Sequence, residues 1–389
     1  MAARPLSVQD LALGRPLLWP IHDRHGNLLL RKGDVIRTEG LLNAMLERGF
    51  VQESEPAQSR RSAPLAPRVD YQRLPVFSRL RAAQELHEAV LVKFHSELSD
   101  ALVDCAKLAG LIGQACEQDA DAALAAFQFD AFEQVRNGSA RSLHCAVLVD
   151  QMCRATGMSD ERRLLMISVG MTYDLGMFRL ADTFNSQRGE LNAEQRDLLH
   201  QHPQASCDLL RRAGVESDVW LSAVLDHHER ADGSGYPRAL KAEEISREAR
   251  LIALVDVFSA MIRPRAYRDA IQAKDALRQI FLERGKQVDL DLAQVFIREI
   301  GMYPPGSMVK LQNGEIAVVA QRGADAAHPL VRSLLSASGQ ALTDKVERRT
   351  DNGSLAIIGL VNPTKYRGLL PNVPQIWTRS PLPELVTAP

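Results

Sequence analysis

The 389-residue chain has no C-x-x-C pair, no apolar run of membrane-spanning length and almost no net charge. Its five cysteines, Cys105, Cys116, Cys145, Cys153 and Cys207, are odd in number and sit mostly inside apolar helical patterns, which fits reduced cytoplasmic thiols. No stretch approaches the roughly 20 apolar residues of a membrane helix. Met1-Ala2-Ala3-Arg4-Pro5 leads into no continuous apolar core of the kind a signal peptide carries. The expectation is a cytoplasmic protein with no membrane attachment. A formal net charge of −1 argues against a general binder of nucleic-acid polymers or membrane surfaces. Internal repeats and low-complexity tracts are absent too. What is present, 46% hydrophobic and 24% charged residues, suffices for a sizeable core spread over two or three domains.

Residues 1–51 read as a small α+β domain. Strand-like Leu17–Ile21 runs into the polar turn His22-Asp23-Arg24-His25-Gly26-Asn27 and then Leu28-Leu29-Leu30, which is hairpin chemistry. A short amphipathic helix with Leu41, Leu42, Met45 and Leu46 follows, Gly49 serving as its C-cap. His22 and His25 are expected to be solvated turn residues. Pro56, Pro64 and Pro67 among Ser, Arg and Gln make residues 52–75 a linker. From 76 to 300 the pattern is helical. Leu86, Val90, Phe94, Leu98, Leu102, Cys105 and Leu108 keep a three-four spacing that predicts one long helix, its stripe either core or a dimer seam. Ser159-Asp160-Glu161 predicts a capped helix start, and Asn192-Ala193-Glu194-Gln195 a capping box for a helix leading to His202-Pro203. Beyond Gly301, the strand-like Met308–Leu311 and Ile316–Val319 flank Asn313-Gly314, and runs at 330–335 and 355–361 complete a small β-rich domain over 301–389.

Chemistry concentrates in the helical part. Asp226-His227-His228-Glu229 ends a helix and is followed at once by Arg230-Ala231-Asp232-Gly233-Ser234-Gly235-Tyr236-Pro237. Neutral imidazole is the commonest protein ligand for a transition metal. Consecutive helical residues diverge by about 100°, so on a helix His227 and His228 would serve two neighbouring ions, or one ion and one phosphate, sooner than one compact site. Asp174 and Asp256 are carboxylates set in strongly apolar helices, a placement that a metal, a capping role or an Arg partner would each justify. With His144 and His202 these make six N/O donors on successive helices, spaced so that a bundle can gather them.

The segment His227–Pro237, with Leu240, Ile245, Ala249-Arg250-Leu251-Ile252, Asp256–Met261 and Arg265-Ala266-Tyr267-Arg268, resembles the HD-GYP branch of the HD phosphohydrolases. Those enzymes are metal-dependent phosphodiesterases that cleave cyclic di-GMP, and the likeness covers about residues 138–270. It implies a mainly α protein with a central HD-type helical bundle between the two small end domains. It also implies a divalent transition metal, Fe or Mn, as one or two ions. His144, Asp174, His202, His227, His228 and Asp256 match metal ligands, Asp174 being the bridging, catalytic one. Gly235 and Tyr236 match the loop over the substrate, and Arg265 a phosphate contact. Partners implied are a cyclic dinucleotide, signalling proteins and a second copy in a dimer.

Three departures, at Tyr173, Met177 and Ala140, accompany the same resemblance. Tyr173-Asp174-Leu175-Gly176-Met177 stands where the family has His-Asp-x-Gly-Lys, and Ala140 stands where some members have a third-metal glutamate. The lost lysine alone removes a charge of the kind worth on the order of 10²–10³ in rate. The expectation is therefore a metal-binding signalling protein with weak or lost phosphodiesterase activity. An active cyclic di-GMP phosphodiesterase with Tyr173 as an unusual ligand, and a metal-free protein-interaction module, are the alternatives.

Overall fold

The computed structural model describes residues 3–6, 17, 20–31, 34, 36, 39–48, 50–52, 74–96, 100–129, 137–187, 189–263, 271–285, 288–342, 346–351, 353–366 and 368–377. The chain divides into two compact units, Met1–Val69 and Asp70–Pro389.

In the first unit, strands β1 (Ala3–Pro5), β2 (Ile21–His22), β3 (Leu28–Leu30) and β4 (Phe50–Gln52) form an antiparallel sheet in the order β1-β4-β2-β3. Helix α1 (Glu39–Arg48) carries Met45 into a small core with Leu6, Leu17, Ile21 and Ile36. The β2–β3 turn is shaped by Asp23, whose Oδ1 accepts from the His25 and Asn27 amides, and by Gly26 in the left-handed region. His25 accepts a hydrogen bond from the neighbouring Arg24 there. Gly49, the expected C-cap, lies outside the described residues.

The second unit begins with α2 (Val76–His95) and α3 (Ala101–Gln118). These replace the single long helix that the 86–108 stripe suggests. The chain breaks at Ser96, whose amide donates to the Val92 and Lys93 carbonyls, and turns back so that α3 lies against α2. A stripe at helical spacing cannot distinguish one long helix from two that fold onto the same core, because both bury the same residues. Val90, Phe94, Cys105 and Leu108 are indeed buried in the main core. Then come α4 (Ala120–Phe129), α5 (Asn137–Ala155), α6 (Asp160–Thr172), α7 (Ala181–Ser186), α8 (Ala193–Arg212), α9 (Asp218–Leu225), α10 (Arg247–Met261), α11 (Ala273–Glu283) and α12 (Leu290–Ile300). Ser159 caps α6 through the Arg162 amide, and Asn192 with Gln195 forms the expected reciprocal capping box on α8. Helix α8 does not stop at His202-Pro203 but continues a further nine residues to Arg212.

Helices α5, α6 and α10 pack together at the centre and supply Leu143, Cys145, Met166, Ile167, Leu251 and Val255 to a core excluded from water. All five cysteines are free and buried. The described residues are mainly α, built on a central helical bundle. No helix among the described residues is long and apolar enough to cross a membrane.

Strands β5 (Met308–Leu311), β6 (Ile316–Gln321), β7 (Leu330–Leu335), β8 (Glu347–Arg349) and β9 (Ile357–Leu360) form an antiparallel sheet in the order β8-β7-β6-β5-β9. The β5–β6 hairpin turns at Asn313-Gly314 as its sequence requires, Gly314 taking a positive φ. The sheet is packed onto the bundle rather than standing apart. Trp377 touches both cores, its indole N–H donating to Ala320 O and its ring 5.3 Å from Phe77. Arg322 pairs with Asp121 of α4 at 2.5 Å.

Candidate metal centre

His202, His227 and His228 converge: one ring nitrogen from each lies within 4.8 Å of the others. His202 and His227 get there by a local device. In α8, Pro203 has no N–H to give to the carbonyl four residues back, Leu199 O. The His202 Nδ1–H takes that vacated acceptor, so its Nε2 lone pair faces the centre. His227 does the same at the end of α9, Nδ1 donating to Val224 O at 2.6 Å. Its Nε2 then lies 3.3 Å from the Nε2 of His202. Two lone pairs at that distance repel unless a cation or proton lies between them, and a backbone carbonyl on the other ring nitrogen is how proteins orient metal-binding histidines.

Helix α9 ends at Leu225, so His227 and His228 belong to a turn. The divergence expected of helical neighbours does not apply, and their ring centroids are 4.1 Å apart. Both therefore serve one centre. Burial, and then the neighbouring imidazole charge, holds His227 down to about 3 and keeps His228 well below the ordinary histidine range. His202 is lowered as well, chiefly by burial. Three neutral imidazoles are the ligand form.

Asp174 follows α6 and begins the short turn Leu175–Met177. Gly176 lets that turn press on α8, because a Cβ there would sit 2.6 Å from His202 O. Its amide donates to Ser206 Oγ. The Asp174 carboxylate thus reaches 3.4 Å from His202 Nε2. A divalent transition metal bound by three imidazoles and a carboxylate fits these donors in kind and orientation.

Asp256 is differently placed. Its Oδ1 accepts from Arg141 Nε at 3.0 Å, from Arg141 Nη2 at 2.5 Å and from the Tyr173 hydroxyl at 2.5 Å. Arg141 also reaches Asp174 Oδ2 at 3.3 Å. Burial alone would raise the Asp256 pKa, but the Arg141 charge, with the Tyr173 hydrogen bond, outweighs it and keeps the carboxylate ionised. Tyr173 is driven far above the ordinary phenol range by burial, so it is a hydrogen-bond donor and no phenolate. Met177 lines the cavity beside Asp174.

His144 is not part of the cluster. It lies one turn deeper along the α5–α10 contact, where its Nδ1 meets Ser259 Oγ and its ring sits between Phe127 and Phe258. Burial keeps it neutral there. Arg141, one turn earlier on α5, is the side chain that enters the centre. Sequence reasoning passed over it, because an arginine between Ala140 and Ser142 carries no ligand signature; the one available hint was its i, i+3 spacing from His144.

Gly235 can be no other residue, since a Cβ would fall 2.4 Å from Glu229 Cα and Arg230 N. That closeness, with Glu229 accepting the Arg238 and Leu240 amides, folds the loop back over the histidines. Tyr236 then packs between His200 and His228, with centroids 4.5 and 4.7 Å away. Arg265 lies outside the described residues. A cavity of about 490 Å³ opens above the centre, lined among others by Arg141, Asp174, Leu191, His228, Tyr236 and Asp256.

Residues 127–292 match the family model for the HD domain. Among characterised proteins, the chain is 32% identical over 169 residues to cyclic di-GMP phosphodiesterase PA4108 of Pseudomonas aeruginosa, covering 43% of this chain and 41% of that one. It is 31% identical over 161 residues to the cyclic di-GMP phosphodiesterase response regulator RpfG of Xanthomonas campestris, covering 41% of each. A 3'3'-cGAMP-specific phosphodiesterase of Vibrio cholerae is 29% identical over 134 residues, 34% of this chain and 30% of its own. The matched region spans well under half the length of these relatives.

Proposed function

We propose that this chain, which carries an HD domain of the HD-GYP type, is a metal-binding component of cyclic dinucleotide signalling whose phosphodiesterase activity is weak or lost. The observation that carries this reading is the convergence of His202, His227 and His228, with Asp174 beside them, below a closed loop and a cavity. The relatives act on cyclic di-GMP or cGAMP, and that substrate class is carried to this chain as the ligand of the cavity.

His202, His227 and His228 would hold the ion through nitrogen, and Asp174 through oxygen. A bound Fe or Mn would supply a Lewis acid that acidifies water and steadies a phosphoryl oxygen. The chain's own groups support binding better than hydrolysis. Met177 presents a thioether where a cation would meet phosphate, and Tyr173 spends its hydroxyl on Asp256. Among the described residues lining the cavity, Asp174, Asp256 and Glu190 face a single cation, Arg141, leaving a net charge of −2 when the histidines are neutral. A cyclic dinucleotide carries two phosphate charges of its own. Its binding should therefore require the metal, whose two positive charges offset the excess.

The test is metal analysis of the purified chain, followed by incubation with cyclic di-GMP and with 3'3'-cGAMP while linear products are measured. Bound metal with metal-dependent dinucleotide binding and little product supports the proposal. Rapid turnover would make the chain an enzyme of the ordinary kind, and absence of metal under all loading conditions would leave an interaction module.

A further inference from the structure

We propose that the Arg141 guanidinium is a built-in cation standing where a second metal ion would join Asp174 and Asp256, so that this centre takes one ion and not two. The proposal rests on the metal-binding reading of the histidine triad above. A single nitrogen, Nη2, lies 2.5 Å from Asp256 Oδ1 and 3.3 Å from Asp174 Oδ2. That is the bridging position between two carboxylates, each of which needs an opposite charge nearby to stay ionised when withdrawn from water. Asp256 Oδ1, the oxygen facing Asp174 across this nitrogen, has no capacity left for an ion. It accepts from two guanidinium nitrogens and from the Tyr173 hydroxyl. A metal would need that oxygen at about 2.0–2.2 Å with its lone pair free. A second ion therefore does not fit between the two carboxylates while Arg141 and Tyr173 hold this oxygen.

The arrangement is held by packing. One turn along α5 and α10, His144 meets Ser259, so the Arg141–Asp256 and His144–Ser259 contacts are successive rungs of one helix pair. Arginine also differs from a metal in permanence, because it does not lose its charge to pH or chelator. One positive charge of this centre is thereby covalently attached to the chain.

The experiment compares the full-length chain with its Arg141→Ala, Arg141→His and Arg141→Lys variants. Manganese bound per chain is measured after equilibrium dialysis, and thermal melting is followed with EDTA and with Mn²⁺. The expected results are one ion for the parent and for Arg141→Lys, which keeps the charge. Arg141→His should take two. Arg141→Ala should melt lower in EDTA and recover in Mn²⁺, as an ion replaces the missing charge. Two ions in the parent would overturn the proposal. So would unchanged stoichiometry in both Arg141→His and Arg141→Ala, or a loss of folding that Mn²⁺ does not repair. One ion in every chain would remove the role of Arg141 alone. No ion in the parent but one in Arg141→His would uphold Arg141 while removing the triad reading, and no ion in any chain would remove both.

Discussion

Pro203 deprives α8 of one backbone hydrogen bond, and His202 takes the carbonyl so released. Replacing Pro203 by alanine should restore the amide donor to Leu199 O and set the two donors in competition. The expected outcome is a helix at least as stable and a weaker metal site, read as a raised dissociation constant for Mn²⁺ with unchanged or higher melting temperature. His144 supplies the control. Its ring is packed between aromatic side chains away from the cluster, so His144→Ala should lower stability by a few kcal/mol while metal content per folded chain stays at the parent level. His228→Ala should do the reverse, and equal loss of metal from both would contradict the placement of His144. Tyr173→His with Met177→Lys supplies the histidine and lysine of the motif this segment resembles but leaves Arg141 between the carboxylates. That double variant should gain no hydrolysis of cyclic di-GMP, whereas adding Arg141→His should give measurable turnover; a gain from the double variant alone would count against the role assigned to Arg141.

Helices α2, α5 and α6 are tied by one buried imidazole. His87 on α2 donates from Nε2 to Met171 O of α6 at 2.9 Å, and its Nδ1 accepts from Ser139 Oγ of α5 at 3.1 Å. Burial lowers its pKa to about 4, against about 6.5 in the unfolded chain. Between those values the unfolded chain binds more protons than the folded one, so stability falls as pH drops from about 6.5 towards 4. The full effect of such a shift is on the order of 3 kcal/mol. Above pH 6.5 both states are neutral and this contribution is constant. Urea unfolding at pH 7.5 and 4.5 should show a smaller pH effect in His87→Gln than in the parent, by up to that amount; equal slopes would mean that His87 is not the buried titrating group.

The two compact units differ in what their cores require. The Asp70–Pro389 unit closes its own core, and residues 70–389 should fold and bind metal without the first unit. The sheet over 308–360 is another matter. Trp377 joins the sheet's core to the helical one, and Arg322 pairs with Asp121 across the same contact. Gly306 approaches α4 so closely that a Cβ would lie 3.0 Å from Ala125 Cα. Cutting at residue 300 should therefore expose apolar surface on α2 and α4 and lower the melting temperature of the bundle. Circular dichroism of 70–300 against 70–389 checks this; identical melting would show that the sheet is dispensable.

Local chemistry made much of this protein readable in one dimension. Capping residues Ser159 and Asn192, the Asn313-Gly314 turn and the three-four spacing of apolar residues act within a few positions of one another, so their outcome is written where they stand. The histidine triad and the Gly235-Tyr236 loop were legible for the same reason, as a dense local motif. What the tertiary structure decided involves groups far apart in sequence. Whether the 86–108 stripe forms one helix or two depends on which core it meets. Whether His144 or Arg141 reaches the centre depends on the rotation of α5 against α10, a packing choice among near-equivalent faces. The pairing of Arg141 with Asp256, 115 positions away, has no local signature at all. Electrostatic balance among buried groups is a property of the assembled core, and the placement of Arg141 between Asp174 and Asp256 belongs to it.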